Sequence, residues 1–493
     1  MRETWQVAVG SAAVGLAVAV TAVAVTGPWD SGQRTAERAR AAAWHRQGGA
    51  EHTGGAPGGP APAPSAPAVL TALGAPPDGG LGGDGSAPGD DAAPGSGSGS
   101  GSAPVPTRAA LADALEPLLE DGALGTLRTA SVVDVATGRQ LYAVRAGRNV
   151  VPASAIKVAT AVAALSAAGP DHRIATRVVW DADRKRAVLV GGGDPTLTRA
   201  ELGRLADATA RALEERGAQK ITLDYDASRY TGPARHPIGV NDNIAPVGAL
   251  MLNAGRLDGS TRGPAPRSAD PAGEAAAAFA DRLRDRGIDV GRPAHARKAP
   301  GDAEELAVHR SAPLSALVER MLTHSDNDIA EALARQTAIA RGEPASFSGA
   351  ARAVRAQLAE YGGRLPLKGA RFADGSGLSR RNQVSSGLLT RLLVLSADPA
   401  RPELRPVLTG LPVARFNGTL DNRYDDAATR AGAGLVRAKT GTLTGINTLA
   451  GTVVDADGRF LAFAFTASGT TDRQAAHRAL DRLASAVANC GCR

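Results

Sequence analysis

The sequence is poor in cysteine, which limits the kinds of site and scaffold that it can form. Its two cysteines, Cys490 and Cys492, are separated by a single glycine near the carboxyl terminus. Two thiols are too few for a multi-cysteine zinc site or for a framework of disulfide bonds. We expect the pair to lie on the solvent side without a catalytic role, and we predict no metal site and no cofactor.

Aromatic residues and lysines are also scarce. Aromatic side chains make up 3% of the chain, and only six of its 56 basic residues are lysines. Single-stranded nucleic acid is typically bound by aromatic side chains interleaved with basic ones, and the sequence lacks that pattern. The net charge of +7 would suit an anionic wall or membrane surface. We therefore predict no nucleic-acid partner.

A long uncharged run rich in alanine and valine lies near the amino terminus. Residues 5–25 carry no charge, and a helix of that length can cross a bilayer core of about 30 Å. Residues 1–30 are therefore predicted to be a membrane anchor. The alternative is a cleaved signal peptide, because Ala22-Val23-Ala24 resembles a small-x-small cleavage site.

The segment that follows lacks the apolar residues that a core requires. Residues 31–106 are mostly Gly, Ala, Pro and Ser, which predicts a disordered linker. Three arginines soon after the apolar run, at positions 34, 38 and 40, would favour a cytoplasmic body by the positive-inside rule. The linker and the chemistry described below favour an exported protein on the cell-surface side, and we adopt that prediction.

The remaining chain shows strand patterns near both of its ends and helical patterns between them. Residues 130–144 read as a hairpin, and residues 451–468 alternate as a second one. This order predicts an α+β fold in which helices flank an antiparallel sheet. We expect residues 107–172 and 311–488 to form the main domain and residues 173–310 to form one small inserted domain.

A serine and a lysine three residues apart carry the strongest chemical signal. Ser154 and Lys157 lie in VVPASAIKVATAVAAL, where a helix is predicted over residues 154–168. Residues three apart are neighbours on a helix surface. A serine hydroxyl is a weak nucleophile, and an adjacent amine with a pKa lowered by burial can accept its proton. The pair therefore predicts a nucleophile and its base.

Two later motifs complete this chemistry. They are Ser325-Asp326-Asn327 and Lys439-Thr440-Gly441. Taken singly, the first could be a helix cap and the second a strand entering a turn. In this order after Ser154 and Lys157, they form the S-x-x-K, S-x-N, K-T-G set of serine acyl-transfer enzymes that act on penicillins and D-alanyl peptides.

Four further segments extend the likeness to one family. The chain resembles the D-alanyl-D-alanine carboxypeptidases and endopeptidases of the class C low-molecular-mass penicillin-binding proteins, the S13 peptidases. The segments are GGGDPTLT (191–198), DGSGLSRRN (374–382), LPVARFNGTLDNR (411–423) and AKTGTLTGINTLAG (438–451). The resemblance implies a serine DD-peptidase/β-lactamase-like domain that hydrolyses peptidoglycan stem peptides and reacts covalently with β-lactams.

The resemblance implies catalytic roles for three side chains and two backbone groups. Ser154 would attack the carbonyl between two D-alanines, and Lys157 would accept its proton. Ser325 would pass a proton to the leaving amine. The N–H groups of Ser154 and Thr442 would form the oxyanion hole.

It also implies a substrate-binding set. Asn327 would hold the peptide, and Lys439 with Thr440 would bind the terminal carboxylate of the substrate. Gly441 and Thr442 belong to the same set. Asp326 receives no chemical role.

The sequence departs from the family pattern at two places. Arg415 stands where the family usually has glycine, which leaves the backbone geometry of that loop open. Larger members carry a further β-rich domain within the insertion. Residues 259–275 leave no room for it, which is why we expect only one inserted domain.

Two other functions share these motifs. A class A β-lactamase has the same three motifs, but 167 residues separate Lys157 from Ser325 here, and no E-x-x-L-N segment follows to supply the glutamate for deacylation. A non-catalytic penicillin-binding or wall-binding module would not need Ser154, Lys157 and Lys439 intact.

Overall fold

The computed structural model describes residues 103–291 and 294–491. The predicted anchor and almost all of the predicted linker lie outside the described residues, as does Cys492. Within the described ranges, no helix is both long enough and apolar enough to cross a membrane.

Helices and strands alternate irregularly along the described chain. The α-helices are α1 (Arg108–Leu119), α2 (Lys157–Ala168), α3 (Arg199–Glu214), α4 (Pro271–Asp285), α5 (Leu314–His324), α6 (Asn327–Ala340), α7 (Phe347–Ala359), α8 (Ser386–Ser396), α9 (Pro406–Thr409) and α10 (Arg473–Ala488). The strands are β1 (Leu127–Asp134), β2 (Gln140–Val144), β3 (Arg173–Asp181), β4 (Arg186–Val190), β5 (Lys220–Asp226), β6 (Asp289–Val290), β7 (His295–Ala296), β8 (Glu304–Pro313), β9 (Arg437–Leu443), β10 (Ile446–Val454) and β11 (Phe460–Ser468).

The main sheet joins the two ends of the described chain. Its strand order is β2-β1-β11-β10-β9, and every neighbouring pair is antiparallel. Leu127 of β1 lies opposite Ser468 of β11, so strands from opposite chain ends are neighbours. The predicted α+β layout, with an antiparallel sheet flanked by helices, is confirmed.

Helices cover both faces of this sheet, and strand β11 shows how the side chains divide between them. Leu461, Phe463 and Phe465 pack in the core shared with α1 and α10. Ala462 and Ala464 pack in the opposite core, where the leucines of α8 lie. Alternate residues of a strand point to opposite faces. Each large apolar side chain buried in this way contributes about 1.5–3 kcal/mol.

The chain segment from β3 to β8 forms a second sheet. Its order is β6-β5-β4-β3-β8, and β7 also pairs with β5. The pairs of β3 with β4 and with β8 are antiparallel, whereas β4, β6 and β7 all run parallel to β5. Helices α3 and α4 supply much of a separate apolar core on this sheet. The chain enters at Arg173 and leaves at Pro313, which are paired across β3 and β8.

The structure corrects two details of the sequence analysis. Ser154 lies in a 3-10 turn over Ala153–Ile156, and the α-helix begins only at Lys157. Cys490 was expected on the solvent side but is 4% exposed, because it packs in the core with α1 and α10.

Helix α8 was not predicted, since its sequence SGLLTRLLVLS is apolar almost all round and has little helical periodicity.

Candidate active site

Three segments meet at one cleft, and each carries one of the sequence motifs. The 3-10 turn before α2 supplies Ser154, the junction of α5 and α6 supplies Ser325, and edge strand β9 supplies Thr440. The cleft has a volume of about 230 Å³.

The Lys157 amine makes three short contacts. Its Nζ lies 3.0 Å from Ser154 Oγ, 2.7 Å from Asn327 Oδ1 and 2.6 Å from the carbonyl oxygen of Ser376. A neutral amine has two hydrogens and one lone pair. If the hydrogens go to Asn327 and the Ser376 carbonyl, which can only accept, the lone pair faces the Ser154 hydroxyl. This is the geometry that a base needs.

Burial also adjusts the proton affinity of this amine. Lys157 is fully buried, and removal from water lowers its pKa from 10.5 to about 8. The nearby carboxylates of Asp374, Asp326, Glu331 and Asp328 act in the opposite direction. At neutral pH a minority of the amine is therefore neutral and able to accept a proton, far more than for an exposed lysine.

The second motif places its serine and its asparagine on different helices. Ser325 ends α5 in the left-handed conformation, with φ of 56°. Asp326 caps α6 by accepting the N–H of Ile329, and Asn327 begins that helix. The Asn327 amide nitrogen donates to the carbonyl of Asn243 at 3.0 Å. The capping role of Asp326 thus coexists with the placement of Ser325 and Asn327 in the cleft.

Lys439 lies behind the cleft rather than on its surface. It is fully buried, and its Nζ donates to Ser325 Oγ at 2.9 Å and to the carbonyl of Thr440 at 2.7 Å. Burial, reinforced by the charge of Lys157, lowers the pKa of Lys439 well below its usual range. Because Ser325 accepts a hydrogen bond from Lys439, its own hydroxyl hydrogen is free for a partner in the cleft.

Strand β9 approaches the serine turn because one of its residues is glycine. A Cβ atom added to Gly441 would lie 2.5 Å from the carbonyl oxygen of Pro152 and 3.1 Å from the nitrogen of Ala155. Any side chain would push the strand away from the turn. On either side of Gly441, Thr440 and Thr442 line the cleft.

The two threonines have different partners. The Thr440 hydroxyl donates to that of Thr419 at 2.8 Å, and Thr442 Oγ1 lies 3.1 Å from His477 Nε2. Burial lowers the pKa of His477 to about 4, so its ring is neutral at physiological pH.

The structure brings together all the site residues that the sequence predicted. Ser154, Ser325, Asn327, Thr440 and Thr442 line the cleft, while Lys157 and Lys439 lie directly beneath it and Gly441 lies at the strand contact. The cleft lining also includes Leu378, from the stretch 374–379 that was expected on its far side, and His324 beside the second motif. Other residues of the lining were not identified from the sequence, and these include Asn243, Arg256, Arg267 and Thr419.

The loop of residues 374–379 supports the cleft from behind more than it lines it. Only Leu378 of this loop lines the cleft, whereas Asp374 is buried and accepts hydrogen bonds from Gly377, Ser379 and Asn382. Burial opposes ionisation of Asp374, but its hydrogen bonds, beginning with that from His236, outweigh this and lower its pKa.

Three buried side chains near this loop could be considered for a metal. Ligand atoms of His236, Glu331 and Asp374 lie within 4.8 Å of one another. His236 Nε2 is 3.0 Å from Asp374 Oδ2, and Glu331 Oε1 accepts two backbone N–H groups. Those hydrogen bonds account for the cluster, and we assign no metal to it.

Arg415, the departure from the family pattern, adopts the backbone conformation that glycine prefers. Its φ is 71°, and its N–H donates to the carbonyl of Leu420. The left-handed conformation costs a residue with a side chain about 1 kcal/mol. The loop therefore keeps the geometry of a glycine although the side chain is arginine.

Comparisons with known proteins agree with the site. The family model of the D-Ala-D-Ala carboxypeptidase 3 (S13) family matches residues 111–269 and 256–489. A carboxypeptidase of Mycobacterium tuberculosis is 38% identical over 410 residues, covering 79% of this chain and 86% of the relative. A D-alanyl-D-alanine carboxypeptidase of an Actinomadura species is 28% identical over 450 residues, covering 73% and 81%.

The fold is also found in a solved structure. The crystal structure of penicillin binding protein 4 from Haemophilus influenzae superposes with a TM-score of 0.63 at 24% identity, covering 76% of this chain and 97% of that protein. At that identity the likeness shows the fold alone. With the family match over most of the described residues, the chain belongs to the D-Ala-D-Ala carboxypeptidase 3 (S13) family of peptidases.

Proposed function

We propose that this protein is a serine-type D-Ala-D-Ala carboxypeptidase that cleaves peptidoglycan stem peptides through an acyl-enzyme on Ser154. The observation that carries the proposal is the buried Lys157 amine, 3.0 Å from Ser154 Oγ with its other contacts made to oxygen acceptors. Release of D-alanine from a peptide ending in D-Ala-D-Ala tests it. Penicillin would inhibit the enzyme by acylating the same serine.

Acylation begins when Ser154 Oγ attacks the carbonyl carbon of the penultimate D-alanine. The hydroxyl proton passes to neutral Lys157, and the carbonyl oxygen becomes an oxyanion. Backbone N–H groups of Ser154 and Thr442 are the proposed donors to that oxyanion. The close approach of Gly441 to the serine turn supports this, because it brings Thr442 to the cleft beside Ser154.

Collapse of this intermediate breaks the peptide bond. The nitrogen of the terminal D-alanine needs a proton as it leaves, and Ser325 can supply one because its oxygen already accepts from Lys439. The proton that Lys157 took from Ser154 then restores the Ser325 hydroxyl, so that Lys157 is neutral again. The ester on Ser154 is then hydrolysed by water, which releases the shortened peptide and restores the serine.

The substrate carboxylate would be bound at the end of the cleft formed by β9. The Thr440 hydroxyl lies there and would turn from Thr419 to donate to the carboxylate, and Lys439 lies beneath it with a lowered pKa. An arriving carboxylate would favour the charged form of Lys439, since opposite charges raise the proton affinity of a buried amine. Binding of the substrate and protonation of Lys439 would therefore be coupled.

Acylation by penicillin should depend on pH through Lys157. Only the neutral amine can accept the serine proton, and its fraction rises as pH passes the pKa of about 8. The acylation rate should thus increase with pH, reach half of its maximum at about pH 8, and level off about one unit above that. Stopped-flow or gel-based labelling across this range measures it. A rate that is flat on both sides of pH 8 would show that Lys157 is not the base.

Lys439→Ala should impair the handling of substrates that carry a terminal carboxylate. The lost interaction is with that carboxylate, and charge-assisted hydrogen bonds of this kind are stronger than neutral ones. kcat/KM should fall more for a D-Ala-D-Ala peptide than for its carboxamide. Lys220→Ala is a matched control, because the Lys220 side chain is 83% exposed and lies on the second sheet. Equal losses on both peptides would assign Lys439 another role.

We infer further that residues 173–310 form one inserted domain between main-domain segments 107–172 and 311–488. The second sheet with its own apolar core supports this. A serine β-lactamase and a non-catalytic binding module remain the alternatives that the turnover assay separates.

We also infer that the protein is exported and anchored at the cell surface by residues 1–30, with residues 31–106 as a disordered linker. The uncharged run of residues 5–25 and the Gly/Ala/Pro/Ser composition beyond it support this. Protease added to intact protoplasts should cleave the protein, and a cleaved signal peptide would instead release it into the medium. Complete protection inside the protoplasts would favour the cytoplasmic orientation indicated by the arginines.

A further inference from the structure

Helix α6 presents a second polar side chain on the face that carries Asn327. Glu331 follows Asn327 by four residues, so the two lie one turn apart on the same face. Asn327 contacts the Lys157 amine. Glu331 is fully buried, and its Oε1 accepts the backbone N–H groups of Gly375 and Ser376 at 3.1 and 2.9 Å.

Those hydrogen bonds hold the loop that contacts Lys157. The carbonyl of Ser376 accepts from Lys157 Nζ at 2.6 Å, and the next N–H, that of Gly377, donates to Asp374 Oδ1 at 2.8 Å. Glu331 therefore holds the peptide group on the amino side of Ser376, while Asp374 holds the peptide group on its carboxyl side. The direction of the Ser376 carbonyl depends on both carboxylates.

We propose that Glu331 is a positioning residue, which aims the Lys157 amine at Ser154 by holding the Ser376 carbonyl in place. With the two amine hydrogens directed at Asn327 and Ser376, the lone pair can point only toward the serine. Without Glu331 the loop loses two hydrogen bonds, and the carbonyl is free to turn away. The proposal rests on the proposed function, because it assigns Lys157 the role of base.

The surroundings of Glu331 raise its pKa. Burial is the largest cause and Asp374 adds to it, whereas the hydrogen bond from Ser376 and the charges of Arg335 and His236 only partly offset the rise. Arg335, one turn further along α6, is itself buried, and its guanidinium lies 4.2 Å from the centroid of the Phe347 ring. Its nitrogens find no hydrogen-bond partner among the described residues. The charge of Arg335 therefore acts on Glu331 without hydrogen bonds to it and limits the rise of its pKa.

The charges that face this group come from several elements. Asp374 and His236 face Glu331 from two loops, Arg335 lies on the same helix, and Lys157 on α2 experiences the charge of Glu331. Removal of the Glu331 charge should therefore lower the pKa of Lys157, since that charge favours the ammonium form.

Two substitutions separate the acceptor from the charge. Glu331→Ala removes the acceptor, and a misplaced base typically costs about 10²-fold. We expect the penicillin acylation rate and kcat to fall by about that factor, with KM little changed because Glu331 does not line the cleft. Glu331→Gln keeps an acceptor oxygen, so it should lose only a few-fold, and its pH profile of acylation should move to lower pH.

A matched variant controls for loss of stability. Asp134→Asn also removes a buried carboxylate charge, which pairs with Arg459 at the far end of β1. It should lower the melting temperature without reducing kcat. The proposal would be overturned if Glu331→Ala kept its acylation rate and kcat within two-fold of wild type. It would also be overturned if Glu331→Gln lost as much of its acylation rate as Glu331→Ala.

The outcomes distinguish this proposal from the one on which it rests. Absence of D-alanine release by the wild-type protein would contradict the proposed function. Normal release by both wild type and Glu331→Ala would contradict only the positioning role. Should Glu331→Ala fail to fold, Glu331→Met takes its place, because it fills similar space without an oxygen that can accept the Gly375 and Ser376 N–H groups. Acylation within two-fold of wild type in that variant would overturn the positioning role.

Discussion

The Ser154→Ala protein is expected to form no covalent adduct with a fluorescent penicillin and to release no D-alanine. The acyl ester can form only on the Ser154 hydroxyl oxygen, because Lys157 serves as the base. Loss of a serine nucleophile typically lowers kcat by about 10⁶-fold. Gel fluorescence and intact-protein mass spectrometry measure the adduct.

Ser166→Ala provides the control for this substitution. Ser166 lies on the same helix, α2, where its hydroxyl contacts Tyr361 at 2.6 Å and the carbonyl of Val162. It should label normally. An adduct of undiminished intensity in Ser154→Ala would show that another residue is acylated.

The penicilloyl ester on Ser154 is expected to persist long after acylation. A class A β-lactamase clears its ester with a water activated by glutamate, and such general-base assistance is worth about 10²–10⁴ in rate. No glutamate lines the cleft within the described residues. A D-alanyl ester should hydrolyse much faster, because departure of D-alanine leaves room for water, whereas the opened β-lactam stays attached and blocks it.

Time-resolved mass spectrometry measures this difference directly. We expect a burst of acylation by penicillin, slow loss of the adduct, and many turnovers on a D-Ala-D-Ala peptide. Loss of the penicilloyl adduct within seconds would instead support the β-lactamase alternative.

The main sheet could be predicted from the sequence because its strands carry local signals. Residues 130–144 and 451–468 alternate around turn residues, and the structure places β1 directly beside β11. Helix α8 could not be predicted in the same way. It is buried on nearly all sides, so its leucines show no polar face from which a period could be read.

The candidate site likewise contains groups that could be predicted from the sequence and groups that could not. Side chains with a chemical role, such as Ser154, Lys157 and Lys439, can be read from motif order and spacing. The Ser376 carbonyl could not, because a backbone acceptor leaves no mark on residue type. Glu331 looks like an ordinary polar helix residue in sequence, and only the fold brings it against the loop that contacts Lys157.

The most direct test of the account is release of D-alanine from a bis-acylated stem peptide ending in D-Ala-D-Ala, measured side by side for wild type and Ser154→Ala. The same peptide ending in D-Ala-L-Ala serves as the stereochemical control. The account predicts multiple turnovers by wild type on the D-Ala-D-Ala peptide alone and none by Ser154→Ala. Wild-type protein that releases no D-alanine, or a Ser154→Ala protein that releases it at the wild-type rate, would contradict it.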